Sequence, residues 1–186
     1  MRLRSGSIVS LRLLLIALIL AACGPAPATA SVAPTQTALP EWFDMPMTDV
    51  ETGKTFTIND FSGKVVLLET MAMWCPNCLF QAGEVRKLHQ LLGNPDDLVS
   101  ISLDVDVNED ESSLKDYTEE YDFEWHFAVA PLGIARALGN LYTAEYLNPP
   151  LSPMMIIDRK GNVHHLEYGW KKADALAKSL QPYLNP

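Results

Sequence analysis

An α/β fold with a central mixed sheet flanked by helices is predicted by three observations. The run "KVVLLET", Lys64 to Thr70, is apolar over a strand's length, as a strand covered on both faces requires. It leads into "CLFQAGEVRKLHQLLG", where Cys78, Ala82, Val85, Leu88 and Leu92 form one stripe of a helix, and then into a second strand, "LVSISLDV". Strand, helix and strand in that order make a right-handed parallel unit. The third observation is C-terminal: "PMMIID", the turn "RKGN" and "VHHLEYG" read as a hairpin, followed by a last helix in "KKADALAKSLQPYL".

The chain begins with a different object. Arg2, Arg4 and Arg12 precede "LLLIALILAA", an apolar run too short to span a bilayer comfortably, so residues 1–22 have the layout of a secretory signal. The segment Leu20, Ala21, Ala22, Cys23 resembles a bacterial lipobox, in which the cysteine is acylated and the chain is cut just before it. Cys23 is therefore the expected lipidation site, and the protein is expected at the outer face of the cell membrane or in the periplasm. Residues 23–40, rich in Pro, Ala and Thr and free of charge, cannot build a core and read as a tether.

Residues 41–186 carry the domain. The whole chain of 186 residues is 48% hydrophobic and 20% charged, the balance of one globular domain. Removing the three arginines of residues 1–22 leaves 11 basic against 23 acidic residues, or -12, which argues against nucleic acid or an anionic membrane face as partner. Gly93 and Pro95 end the first helix. Between the second strand and the hairpin, helices are predicted at Glu111 to Tyr121 and Leu132 to Leu141, with a short strand near His126 to Ala130.

Two constellations carry little chemistry. "DVDVNED", Asp104 to Asp110, opens like a calcium loop, but Glu109 stands where Gly is needed and Lys115 where a bidentate Glu is needed, so a solvated acidic loop is expected. Adjacent His164 and His165 point to opposite faces of a strand and cannot easily share a metal. No metal site is assigned.

"WCPNC" is different in kind. Cys75 and Cys78 at i and i+3 stand at the opening of the helix, with Pro76 in the first turn, where proline is tolerated. That spacing places the sulfurs within disulfide range, and the helix's positive end stabilises a thiolate on Cys75, the expected nucleophile. A static bridge over two residues would constrain the unfolded chain little, and a zinc site would need a second ligand pair that the sequence does not offer.

With "VVLLETMAMWCPNC", the later "LSPMMIIDRKGNV" and the export signal, residues 41 to 184 resemble the thioredoxin superfamily, and within it the membrane-tethered TlpA/ResA-like thiol-disulfide oxidoreductases. The resemblance implies a thioredoxin-like fold with an insertion between the second parallel strand and the cis-proline loop. It implies Cys75 as the exposed attacking thiol, Cys78 as the buried resolving thiol and Trp74 as a flanking aromatic that, with Pro76, meets the client. Pro153 becomes the cis-proline, whose loop lies against the cysteines, and Ser152 before it offers its backbone to the client's extended chain. Glu69 falls where thioredoxins carry a buried acid. Many ResA-like proteins have Glu three residues after the second Cys; this chain has Gln81, a departure from a strict ResA-type proton pathway.

Glu69 follows four aliphatic residues, and a carboxyl buried in such a strand should have a raised pKa, which suits a proton acceptor working near neutrality. The expected function is disulfide exchange with client proteins, as a reductase, for example in cytochrome c maturation. It needs no cofactor beyond the Cys75–Cys78 pair and takes electrons from a membrane donor of thioredoxin-reducing type. A rival is a Cu(I) module in which Met154 or Met71 joins the two thiolates, since soft sulfur selects that metal, although Sco-type copper proteins space their cysteines more widely. A peroxiredoxin-like peroxidase lacks the threonine-and-proline loop that would lead to its cysteine.

Overall fold

The computed structural model describes residues 38–184. The expected signal segment, Cys23 and the tether up to residue 37 lie outside the described residues.

Five strands form one mixed sheet in the order β5-β4-β3-β6-β7. Its centre is β3, Val65–Met71, every residue of which is buried. On one side β3 pairs in parallel with β4, Leu98–Asp104, which pairs in parallel with β5, His126–Val129. On the other it pairs antiparallel with β6, Met154–Ile157, which turns into β7, Val163–His165. A separate two-stranded hairpin, β1 (Met47–Thr48) and β2 (Thr55–Phe56), is tied to the β5 edge where Val50 N–H donates to the Phe127 carbonyl at 2.9 Å.

Among the described residues four α-helices complete the domain: α1 (Pro76–Leu92), α2 (Glu111–Tyr121), α3 (Leu132–Leu141) and α4 (Ala173–Leu184). The period-two alternation of the strands sorts the core into two layers. Val66 and Leu68 of β3 pack with Ile101, Leu103, Met155 and Ile157 against α3 and the N-terminal segment that holds Trp42 and Phe43. Val65 and Leu67 face the other way and pack against Val85 and Leu88 of α1 and Leu176 and Leu180 of α4.

The predicted helices α2 and α3 stand at their predicted bounds, and the strand near His126 ends at Val129. The insertion before Pro153 does more than lengthen a loop: through β5 it supplies the third parallel strand. His164 and His165 lie on opposite faces of β7, one bonded to Asp158 (3.1 Å), the other to Tyr146 (2.8 Å).

The Ser152–Pro153 bond departs from expectation. It is trans, since no described peptide bond is cis. The chain enters β6 instead through a left-handed Ser152 (φ 46°, ψ 57°), with the Ser152 N–H bonded to the Pro149 carbonyl at 2.8 Å.

Candidate active site

The site is built where β3 ends and α1 begins. Cys75 is the N-cap of α1, Pro76 occupies the first turn, and the helix runs until a left-handed Gly93 (φ 71°) ends it. Cys75 and Cys78 are joined in a disulfide. Cys75 Sγ also accepts the Cys78 N–H at 3.2 Å, so one of the helix's unpaired amides points at the first sulfur. A thiolate released on Cys75 is stabilised there by both the N–H and the helix end.

Cys75 is not the exposed sulfur that was expected. It is 1% exposed and Cys78 3%, because a capping side chain folds back over the first turn, where Met71, Ala72 and Val50 pack around it. What solvent meets is Trp74, 55% exposed, together with Pro76 and Asn77.

The loop before β6 does lie against the cysteines, through atoms that were not anticipated. Cys78 Sγ is 3.4 Å from the Pro149 carbonyl oxygen, and Asn77 Nδ2 donates to the Pro150 carbonyl at 3.0 Å. Pro153 is one step removed, its carbonyl accepting the Thr70 N–H of β3 at 3.1 Å. Ser152 is buried, and its backbone is engaged within the domain: the carbonyl accepts from Lys171 Nζ at 3.0 Å.

Glu69 is the fifth residue of β3 and 4% exposed. Alternation puts it on the α1 face, between Leu67, which packs on α1, and Met71, which packs on the cysteines. Burial pushes its pKa up to about 7, against the opposing pull of a hydrogen bond from Ser102 Oγ and the charge of Lys171. The Lys171 ammonium is itself pushed down to about 8 by burial. Its backbone is gripped by the buried Gln81 of α1, whose amide donates to the Lys171 carbonyl (3.1 Å) and accepts the Lys171 N–H (2.8 Å). The residue that departs from the ResA pattern therefore fixes the position of a cation near Glu69.

The acidic loop after β4 is not simply solvated. Glu109 Oε2 accepts the Met73 N–H at 2.8 Å and Asp106 Oδ2 accepts the Trp74 indole N–H at 2.6 Å, so two acids hold the two residues that lead into Cys75. Asp104 behind them is wholly buried; desolvation first, and then the neighbouring Glu109, push its pKa up to about 8.

Lys171, Gln81, Glu109 and the serines of β4 were missed as site residues. For the serines a signal was present: Ser100, Ser102 and Asp104 recur at every second position of "LVSISLD", a polar stripe along one face of a buried strand. Buried polar groups require partners, and theirs are His89, Glu69 and the acidic loop. Of the methionines raised as copper ligands, Met71 packs with the cysteines, whereas Met154 belongs to the layer under α1 and α4.

Residues 27–180 match the Redoxin family. The chain belongs to it. No curated protein matches the chain. Among solved structures this Redoxin is similar to a secreted disulfide oxidoreductase of Mycobacterium tuberculosis described as homologous to E. coli DsbE, with TM-score 0.59 and 14% identity over 76% of this chain and 98% of that one. The exposed lipoprotein thioredoxin Etrx1 of Streptococcus pneumoniae matches with TM-score 0.57 and 22% identity, covering 74% and 97% of the two chains. StoA from Bacillus subtilis matches with TM-score 0.57 and 13% identity, covering 72% and 92%. At these identities the likeness is one of fold, and the fold is thioredoxin-like. A Cys-x-x-Cys disulfide capping the first helix of a Redoxin domain makes this a thiol-disulfide oxidoreductase.

Proposed function

We propose that the protein is an exported, lipid-anchored reductase of client disulfides, held through Cys23 at the outer face of the cell membrane or in the periplasm and recharged by a membrane donor of thioredoxin-reducing type. Maturation of cytochrome c is one process that needs such a reductant. The observation that carries the thiol-exchange reading is the placement of the Cys75–Cys78 disulfide on the N-terminal end of α1, the helix that packs on the sheet face where Glu69 is buried. The signal-like residues 1–22 support export, as does the similarity in fold to one protein described as secreted and another described as an exposed lipoprotein.

In the proposed cycle the reduced Cys75 thiolate attacks a client disulfide. A bond forms between Cys75 and one client sulfur, and the other client sulfur leaves as a thiolate. Cys78 then gives its proton to Glu69 and attacks Cys75 Sγ, which closes the internal disulfide and releases the first client sulfur. Two electrons pass to the client, and the protons that neutralise its thiolates come from Glu69 and water. Burial of both sulfurs means that the client must reach Cys75 past Trp74 and Pro76, the exposed residues of the motif.

Direction is tested by the midpoint potential of the pair. Pro76 and Asn77 place no positive charge between the sulfurs, so the Cys75 thiolate is only moderately stabilised and its disulfide should be only moderately oxidising. Equilibration with redox buffers should give a midpoint nearer thioredoxin's, about -270 mV, than DsbA's, about -120 mV. A midpoint close to the latter would overturn the reductase reading.

A further inference from the structure

Glu69 does not stand alone beneath α1. In the parallel register of β3 and β4 it faces Ser102, whose Oγ lies 2.5 Å from Glu69 Oε1. Ser102 Oγ is in turn 2.9 Å from the indole nitrogen of Trp125, a half-buried residue immediately before β5. Trp125 is held by rings on three sides: Phe123 at 4.9 Å, Phe127 at 5.2 Å and His89 at 5.5 Å between centroids.

The chemistry of these three groups gives the chain a direction. An indole N–H can only donate, whereas a serine hydroxyl has one proton and two lone pairs. Trp125 therefore occupies one lone pair of Ser102, and the hydroxyl proton has Glu69 as its partner among the described residues. An oxygen that already accepts a hydrogen bond donates a stronger one.

We propose that Trp125 is a positioning residue for proton transfer at Glu69: by donating to Ser102 it aims the serine hydroxyl at Glu69 Oε1 and favours the carboxylate, the form that can take a proton from Cys78. Without the indole N–H, Ser102 is free to turn and accept a proton held on Oε1, which favours the acid. The acceptor's readiness is thus set in part from the β5 insertion, on the side of the sheet away from β6. The other groups acting on Glu69 are Lys171, which favours the carboxylate, and Tyr117 of α2, whose own ionisation Glu69 opposes. The catalytic consequence rests on the thiol-disulfide reading above; the geometry and its test do not.

The test is made on the full chain in its oxidised form, with no client present. The Glu69 carboxyl carbon is followed by NMR across pH 4 to 10 in wild type, Trp125→Phe and Ser102→Ala. Phenylalanine keeps an aromatic ring among Phe123, Phe127 and His89 and removes the N–H together with part of the indole's volume. In Trp125→Phe the Glu69 midpoint is expected to rise by about 0.5 to 1 pH unit, a three- to tenfold fall in the ratio of ionised to protonated Glu69 at a given pH, with a rise at least as large in Ser102→Ala. In the wild type, the Trp125 indole N–H resonance should titrate with Glu69 and cease to do so in Glu69→Gln, a readout that requires no change at Trp125. An unchanged or lowered midpoint in folded Trp125→Phe, or an indole resonance indifferent to Glu69, would overturn the proposal. Loss of client reduction with these titrations intact would instead count against the reductase reading alone.

Discussion

Ser102 Oγ lies 2.5 Å from Glu69 Oε1, directly across the parallel ladder of β3 and β4, so the acid beneath the cysteine helix is bonded to a hydroxyl of the neighbouring strand. This contact offsets only part of the desolvation that a wholly buried carboxyl suffers, and Glu69 titrates near pH 7.

A pH-dependent stability follows from that position. The folded state holds the Glu69 proton more tightly than the unfolded chain does, so this contribution is complete below pH 4.5 and is lost as pH rises through about 7. The loss is of order 3 kcal/mol. Urea unfolding of the oxidised protein should show Glu69→Gln close to wild type near pH 5 and more stable than it at pH 8.5. Parallel curves for the two proteins over that range would mean that Glu69 is ionised at no cost.

Lys171 should matter through charge. Its backbone is held by Gln81, and its ammonium, bonded to the Ser152 and Gly169 carbonyls, opposes the rise in Glu69's pKa. Lys171→Met should move the Glu69 midpoint upward and carry the pH dependence of client reduction with it, whereas Lys171→Arg should largely preserve both. The comparison is of pH-rate profiles, in which a merely structural role for Lys171 would lower rates without moving the midpoint.

Asp104 gives a second, more alkaline dependence. Its carboxyl is protonated in the fold up to about pH 8, where the unfolded chain has long been ionised, so its stabilising contribution is present below pH 3.8 and fades as pH rises through 8. Asp104→Asn should flatten the stability curve at its alkaline end. Because Asp106 of the same loop bonds the Trp74 indole, wild-type Trp74 fluorescence should change near pH 8 and that of the variant should not.

Anchoring is tested separately. Replacing Cys23 with Ala should release the protein from membranes or block its processing, as read by fractionation. A variant that is processed normally and remains with the membranes would contradict lipidation.

Much of the fold was legible because its elements are local and strongly patterned: a strand opening on four aliphatic residues, a helix stripe and a hairpin around "RKGN". The cysteine pair and Glu69 were legible for the same reason, being a motif and its adjoining strand. What escaped depends on pairing between distant segments. No local pattern places Lys171 beside Glu69, since the Gln81 bridge spans 90 residues, and none brings Pro149 and Pro150 to the cysteines. The burial of Cys75 was not legible because its exposure was an expectation of the family resemblance, whereas the N-cap geometry of this chain turns the side chain inward. The Ser-x-Ser-x-Asp alternation of β4 was readable but was passed over, and it marks the polar side of the site.

Glu69 is the proposed acceptor of the Cys78 proton. The most direct test is stopped-flow reduction of a client disulfide across pH 6 to 9, with the mixed disulfide trapped by acid quench in wild type and Glu69→Gln. In wild type, resolution should quicken as pH rises through about 7, where Glu69 ionises. In Glu69→Gln that rise should disappear and the mixed disulfide accumulate, while the first attack by Cys75 proceeds nearly as before. Equal resolution rates in the two proteins at every pH would contradict the account.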